Sequence, residues 1–158
     1  MEVKHGRELI EFNRNYKELD GIFHEIAQKM ELSNSAFSIL YTLVEFGGGC
    51  LQKDIADYYF TSRQTINSSI KNLEEKGIIS LEKGKRRERH LYLTPEGQKL
   101  AQEKIVPVVE MENRIFAAME AKESQELLRL TKKLVSLYRK EVDEQNFYQT
   151  KKDKEENT

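Results

Sequence analysis

A chain of 158 residues, 34% charged and 38% hydrophobic, has the length of one domain or two interleaved lobes, and its composition favours helices with wide exposed surface. It has no apolar run of membrane length and no apolar targeting core in its start, MEVKHGRELIEF, which leads us to expect a cytoplasmic protein with no membrane partner. The net charge of -1 is unevenly spread: residues 1–50 carry five Lys/Arg against eight Asp/Glu, residues 51–95 nine against six, and residues 96–158 twelve against thirteen.

The first element is set by Leu9, Phe12, Tyr16, Leu19, Phe23, Ile26 and Met30, which recur at alternating spacings of three and four. That is a helical seam, facing either a domain core or a second copy. Ser33 or Asn34 then caps a second helix through Phe37, Leu40, Val44 and Phe46, which Gly47-Gly48-Gly49 stops. Leu51–Tyr59 reads as a short helix with Ile55 and Ala56 inward. After a turn at Phe60-Thr61, Ser62 caps a helix running to Lys76, with Ile66, Ile70 and Leu73 on its buried stripe.

Gly77 ends that helix. Ile78–Leu81 and His90–Leu93 read as a two-stranded hairpin around a tip crowded with Lys83, Lys85, Arg86, Arg87 and Arg89 against Glu88. Thr94 and Pro95 start the next helix, to about Met119, and Pro107 is expected to kink or break it near Val106. A last helix from Lys122 to Phe147 carries Leu127, Leu130, Leu134, Leu137 and Val142. Residues 148–158 are polar and expected to be a disordered tail.

Chemistry concentrates in the basic middle. With Ile66 inward, a turn of about 100° per residue points Gln64, Ser68 and Lys71 outward, with Asn67 beside them and Arg63 in the first turn. Gln and Asn pair bidentately with adenine, Arg with guanine, and Ser or Thr with several bases. The expected contacts to double-stranded DNA are therefore Ser62, Arg63, Gln64, Thr65, Asn67, Ser68 and Lys71 on the helix, and Lys85, Arg86, Arg87 and Arg89 on the hairpin. The competing reading is a solvated polar face and a basic loop tip with no partner. No P-loop follows the glycines, and His5, His24 and His90 make no metal-ligand pair. No catalytic constellation is visible, so neither an enzyme nor a cofactor nor a metal is expected. Cys50 is expected to be a buried, inert thiol and rules out an intrachain disulfide.

The segments LQKDIADYYFTSRQTINSSIKNLEEKGII and LYLTPEGQKL, with the basic hairpin between them, resemble the MarR family of bacterial transcriptional regulators, and the resemblance extends over about residues 5–147. It implies a mainly α, winged helix-turn-helix fold with a two-stranded wing. It also implies a homodimer, with residues 33–95 as the DNA-binding lobe and residues 5–32 and 96–147 as the dimerisation lobe. The implied activity is repression at a pseudo-palindromic operator, relieved by a small effector. A winged-helix module that binds protein, or an activator, are the alternatives. Many members carry Asp-x-Arg in the wing; Arg87 matches the Arg, but Lys85 stands at the Asp position, which removes the carboxylate that would orient the wing. An aromatic or amphipathic effector is expected among Tyr16, Phe23, Phe37 and Tyr41, whose alternative role is core packing.

Overall fold

The computed structural model describes residues 4–59, 62–84 and 88–145. The seam residues form helix α1, Arg7–Lys29. It ends in a Schellman turn: Leu32 N donates to Ala27 O at 3.0 Å and Glu31 N to Gln28 O at 2.9 Å. The left-handed position of that turn is Glu31, with φ of 58°. Helix α2, Asn34–Phe46, starts where expected. Ser33 caps it by accepting from Ala36 N at 3.2 Å, and Gly47 closes it in the left-handed region with φ of 76°. Phe37, Ile39, Leu40, Thr42 and Leu43 are buried on α2, which makes it the centre around which its neighbours pack.

The glycine run after α2 is the device that turns the chain. Gly48 and Gly49 also have positive φ, and the Tyr92 side chain lies against both of them. A side chain at either position would be strained and would push that ring away. The turn delivers strand β1, Cys50–Leu51, which pairs antiparallel with a later strand. This third strand was not expected, because two residues carry too little alternation to announce a strand. It also shortens the following helix, α3, to Gln52–Tyr58.

Helix α4, Arg63–Glu75, is capped by Ser62. Strands β2, Ile79–Lys83, and β3, Arg89–Leu93, form the expected hairpin, paired from Ile79 opposite Leu93 to Lys83 opposite Arg89. The sheet order is β1-β3-β2. Thr94 then caps helix α5, Pro95–Leu100, by accepting from Gly97 N at 3.0 Å.

Pro107 does not break the chain into two helices. Residues Ala101–Ile105 form a π-helical turn, and helix α6, Val106–Ala118, continues from it. An α-helical ladder would drive the proline ring into the carbonyl four residues back and leave that carbonyl without its donor; the wider turn accommodates both. Helix α7 spans Ala121–Glu144, and the end expected at Phe147, like the tail, lies outside the described residues.

The chain divides into two compact units, Met1–Glu110 and Met111–Thr158. The first holds the core, centred on Ile39, Leu40, Leu43, Ile55, Ile66, Ile79, Leu91 and Ile105. In the second, no described side chain of α7 is buried, and Leu127, Leu130 and Leu137 are exposed. Among the described residues, no helix is long and apolar enough to cross a membrane.

Candidate nucleic-acid interface

Helix α4 is fixed at three places. Its start is held by Ser62, whose Oγ accepts from Thr65 N at 3.1 Å and lies 2.7 Å from the Thr65 hydroxyl. Its inner stripe, Ile66, Ile70 and Leu73, is buried. Its flank is tied to α2 by a hydrogen bond of 2.6 Å between the hydroxyls of Ser69 and Ser35. This last contact was not foreseen; a serine beside an apolar stripe gives no sign of its partner.

So anchored, α4 turns Arg63, Gln64, Thr65, Asn67, Ser68 and Lys71 outward, all exposed. Ser68 Oγ donates to the Gln64 carbonyl at 3.0 Å. Lys71 sits 3.7 Å from Glu75, with both side chains mostly in solvent, where such a pair contributes little. The side chains of Arg63, Gln64 and Asn67 make no hydrogen bond among the described residues. A rigid helix with uncommitted donors and acceptors on one face can exchange its water for base edges without first breaking internal bonds.

The hairpin is held against the same region from behind. His90 Nδ1 donates to the Gly49 carbonyl at 2.8 Å, which accounts for this histidine without a metal. Gly84 gives the His90 ring its room, because a side chain there would overlap it. Lys85, Arg86 and Arg87, three of the four expected wing contacts, lie outside the described residues. The fourth, Arg89, is exposed at the start of β3.

Between α3, the first turn of α4 and the hairpin lies a cleft of about 340 Å³, lined by Leu51, Gln52, Lys53, Arg63, Asn67, Glu88 and Arg89. It joins three expected residues, Arg63, Asn67 and Arg89, to Gln52, Lys53 and Glu88, which the sequence did not single out. Beside Leu51, three cations and two amides against one carboxylate give the cleft a net positive charge that suits an anion.

The residues expected around an effector are more dispersed. Phe37 is buried and its ring lies 5.9 Å from that of Tyr41. Tyr16 is 63% exposed and stacks on Phe12 at 6.3 Å, while Phe23 is half-buried. Two other cavities of about 500 Å³ each adjoin the buried side of α4. One is bordered by His24, whose ring is hydrogen-bonded to Asn34 at 3.0 Å and to Gln28 at 2.9 Å. Cys50 is half-buried rather than buried as expected, because it sits on the short edge strand β1; partial burial, and then the charge of Asp54, still push its thiol above its usual range, so it stays protonated at neutral pH.

The MarR family model matches residues 30–90, the stretch from the end of α1 to β3. No curated protein sequence matches the chain. Among solved structures, NMB1585, a MarR family regulator from Neisseria meningitidis, is 25% identical; the match covers 89% of this chain and 99% of that one, with a TM-score of 0.78. The S. aureus MepR–DNA complex is 24% identical over 80% of this chain and 93% of MepR, with a TM-score of 0.64. NadR in complex with 4-hydroxyphenylacetate is 24% identical over 85% of this chain and 96% of NadR, with a TM-score of 0.65. The last two likenesses are of fold.

Proposed function

We propose that this chain, a winged-helix regulator of the MarR family, acts by binding double-stranded DNA, with α4 reading bases and the hairpin flanking it. The observation that carries the reading is the anchored helix α4, whose outer face holds Arg63, Gln64 and Asn67 uncommitted beside a cationic cleft. The presence of DNA in the MepR structure supports it. Lys85, Arg86 and Arg87 belong to the same proposal as phosphate or minor-groove contacts. Arg87→Ala should weaken binding to all sequences alike.

The functional unit in this reading is a homodimer joined through residues 5–32 and 96–147. The motivation is the exposed apolar surface of α1, with Leu9, Phe12, Tyr16 and Leu19, and of α7, with Leu127, Leu130 and Leu137, more than a soluble monomer normally leaves open. Two copies of α4 would then enter successive major grooves about 34–36 Å apart. Occupancy of such a site occludes a promoter, which makes repression the expected outcome. A small aromatic effector that prefers the unbound conformation would relieve it; NadR's complex with 4-hydroxyphenylacetate supports that part. Tyr16, Phe23, Phe37 and Tyr41 are its proposed contacts.

Selection of bound fragments from a genomic library tests the proposal. The expected result is an enriched inverted repeat with half-sites about one helical turn apart. Recovery of fragments with no shared motif would contradict it.

A further inference from the structure

We propose that the cleft at the root of the hairpin is the seat of one backbone phosphate of the DNA duplex, and that Glu88 holds down its affinity for every sequence. The inference rests on the DNA-binding reading above and adds to it the contacts of α3 and a carboxylate that opposes binding.

Lys53 comes from α3, Arg63 from the first turn of α4 and Arg89 from the start of β3, yet all three line one cleft. Gln52 and Asn67 add amide donors to it. Among the described residues none of the three cations is engaged in an ion pair, and neither is Glu88. Three cations against a single carboxylate leave a net positive charge whose members repel one another. A phosphate, which only accepts hydrogen bonds and carries a full negative charge, answers all three at once, and Arg can bind it with two parallel bonds. The cleft continues through Asn67 onto the base-reading face of α4. A phosphate seated there is therefore followed by the bases of the same duplex, which favours DNA over a free anion.

Glu88 has the opposite sign to its neighbours in the cleft. In the free protein it offsets part of their repulsion. Against a bound phosphate it is a like charge. A group that stabilises the unbound state and opposes the bound one lowers affinity by linkage. Its cost falls on every duplex alike, so weak non-specific complexes are lost while a base-matched site still holds.

The test is fluorescence anisotropy with a selected operator and a scrambled duplex, each titrated with NaCl, on the full chain. Lys53→Ala should reduce the slope of log affinity against log salt by about one unit on both duplexes. Glu88→Gln should tighten both by about two- to fivefold, the size of one solvent-screened charge pair. If Lys53→Ala does not fold, as judged by its melting curve, Lys53→Gln takes its place. An unchanged slope in the Lys53 variant overturns the phosphate seat. Weaker binding by Glu88→Gln overturns the braking role and makes Glu88 a positioning residue for the arginines. If the wild-type chain binds neither duplex, the DNA reading itself falls; if it binds and the variants match it, only the cleft does.

Discussion

Gly97 has no room for a side chain. A Cβ there would collide with the carbonyl oxygen of Ile78, which is backbone and cannot swing away. That carbonyl already accepts from Thr94 N at 3.1 Å, and the Thr94 hydroxyl donates to Gly77 O at 2.6 Å. Threonine and glycine three residues apart thus clamp the end of β3 to the exit of α4, and the clamp positions the hairpin. Gly97→Ala should destabilise the protein by about 1–3 kcal/mol, read as a lower urea midpoint; an unchanged midpoint would contradict the close contact. Cys50 offers a second test at this scale. Its thiol is raised by burial first and by Asp54 second. Because the reactive form is the thiolate, Cys50 should react with iodoacetamide more slowly than a free cysteine between about pH 7 and 9. Asp54→Asn should speed the reaction, and a rate equal to that of free cysteine in the unmodified protein would remove the basis for an inert thiol.

At the scale of elements, two helices end in the same motif with different residues at its left-handed position. Helix α4 closes with Gly77 at φ of 69° and Ile78 N donating to Leu73 O, while α1 closes with Glu31 at φ of 58° and Leu32 N donating to Ala27 O. A residue with a Cβ is disfavoured there. Part of the gain from a glycine is offset by its freedom in the unfolded chain. Glu31→Gly should therefore raise stability by about 0.5–1 kcal/mol, visible as a higher melting midpoint; a lower midpoint would mean that the Glu31 side chain contributes more than its strain costs. The sequence made helix starts legible, because Ser33, Ser62 and Thr94 act through bonds to residues three positions away. It did not make Glu31 legible, since nothing local requires a glutamate to turn left-handed. Nor could spacing tell whether Pro107 would break its helix or widen the turn before it. Lys53 was missed for a tertiary reason: β1 pairs Leu51 with His90, and only that register carries Gln52 and Lys53 to the side of Arg89.

At the scale of the whole molecule, apolar surface and charged surface point to different partners. Most of the exposed large apolar side chains fall on α1, α6 and α7, Phe46 and Tyr58 lying elsewhere, whereas the cations that share one cleft fall on α3, α4 and β3. The first group should bind a second copy. Sedimentation at micromolar concentration is expected to give a dimer without DNA, and Leu130→Lys should shift it towards monomer; a wild-type monomer would remove the two-groove geometry. The second group should bind DNA, and the division of labour between helix and cleft is the central claim. It is tested most directly by the ratio of affinities for operator and scrambled duplex, compared between the wild type and Gln64→Ala, a residue outside the cleft. The account predicts that operator affinity falls by about 1–3 kcal/mol for the lost bidentate contact while affinity for the scrambled duplex is unchanged, so that the ratio falls. An unchanged ratio, with both duplexes bound as before or weakened equally, would contradict base reading by α4.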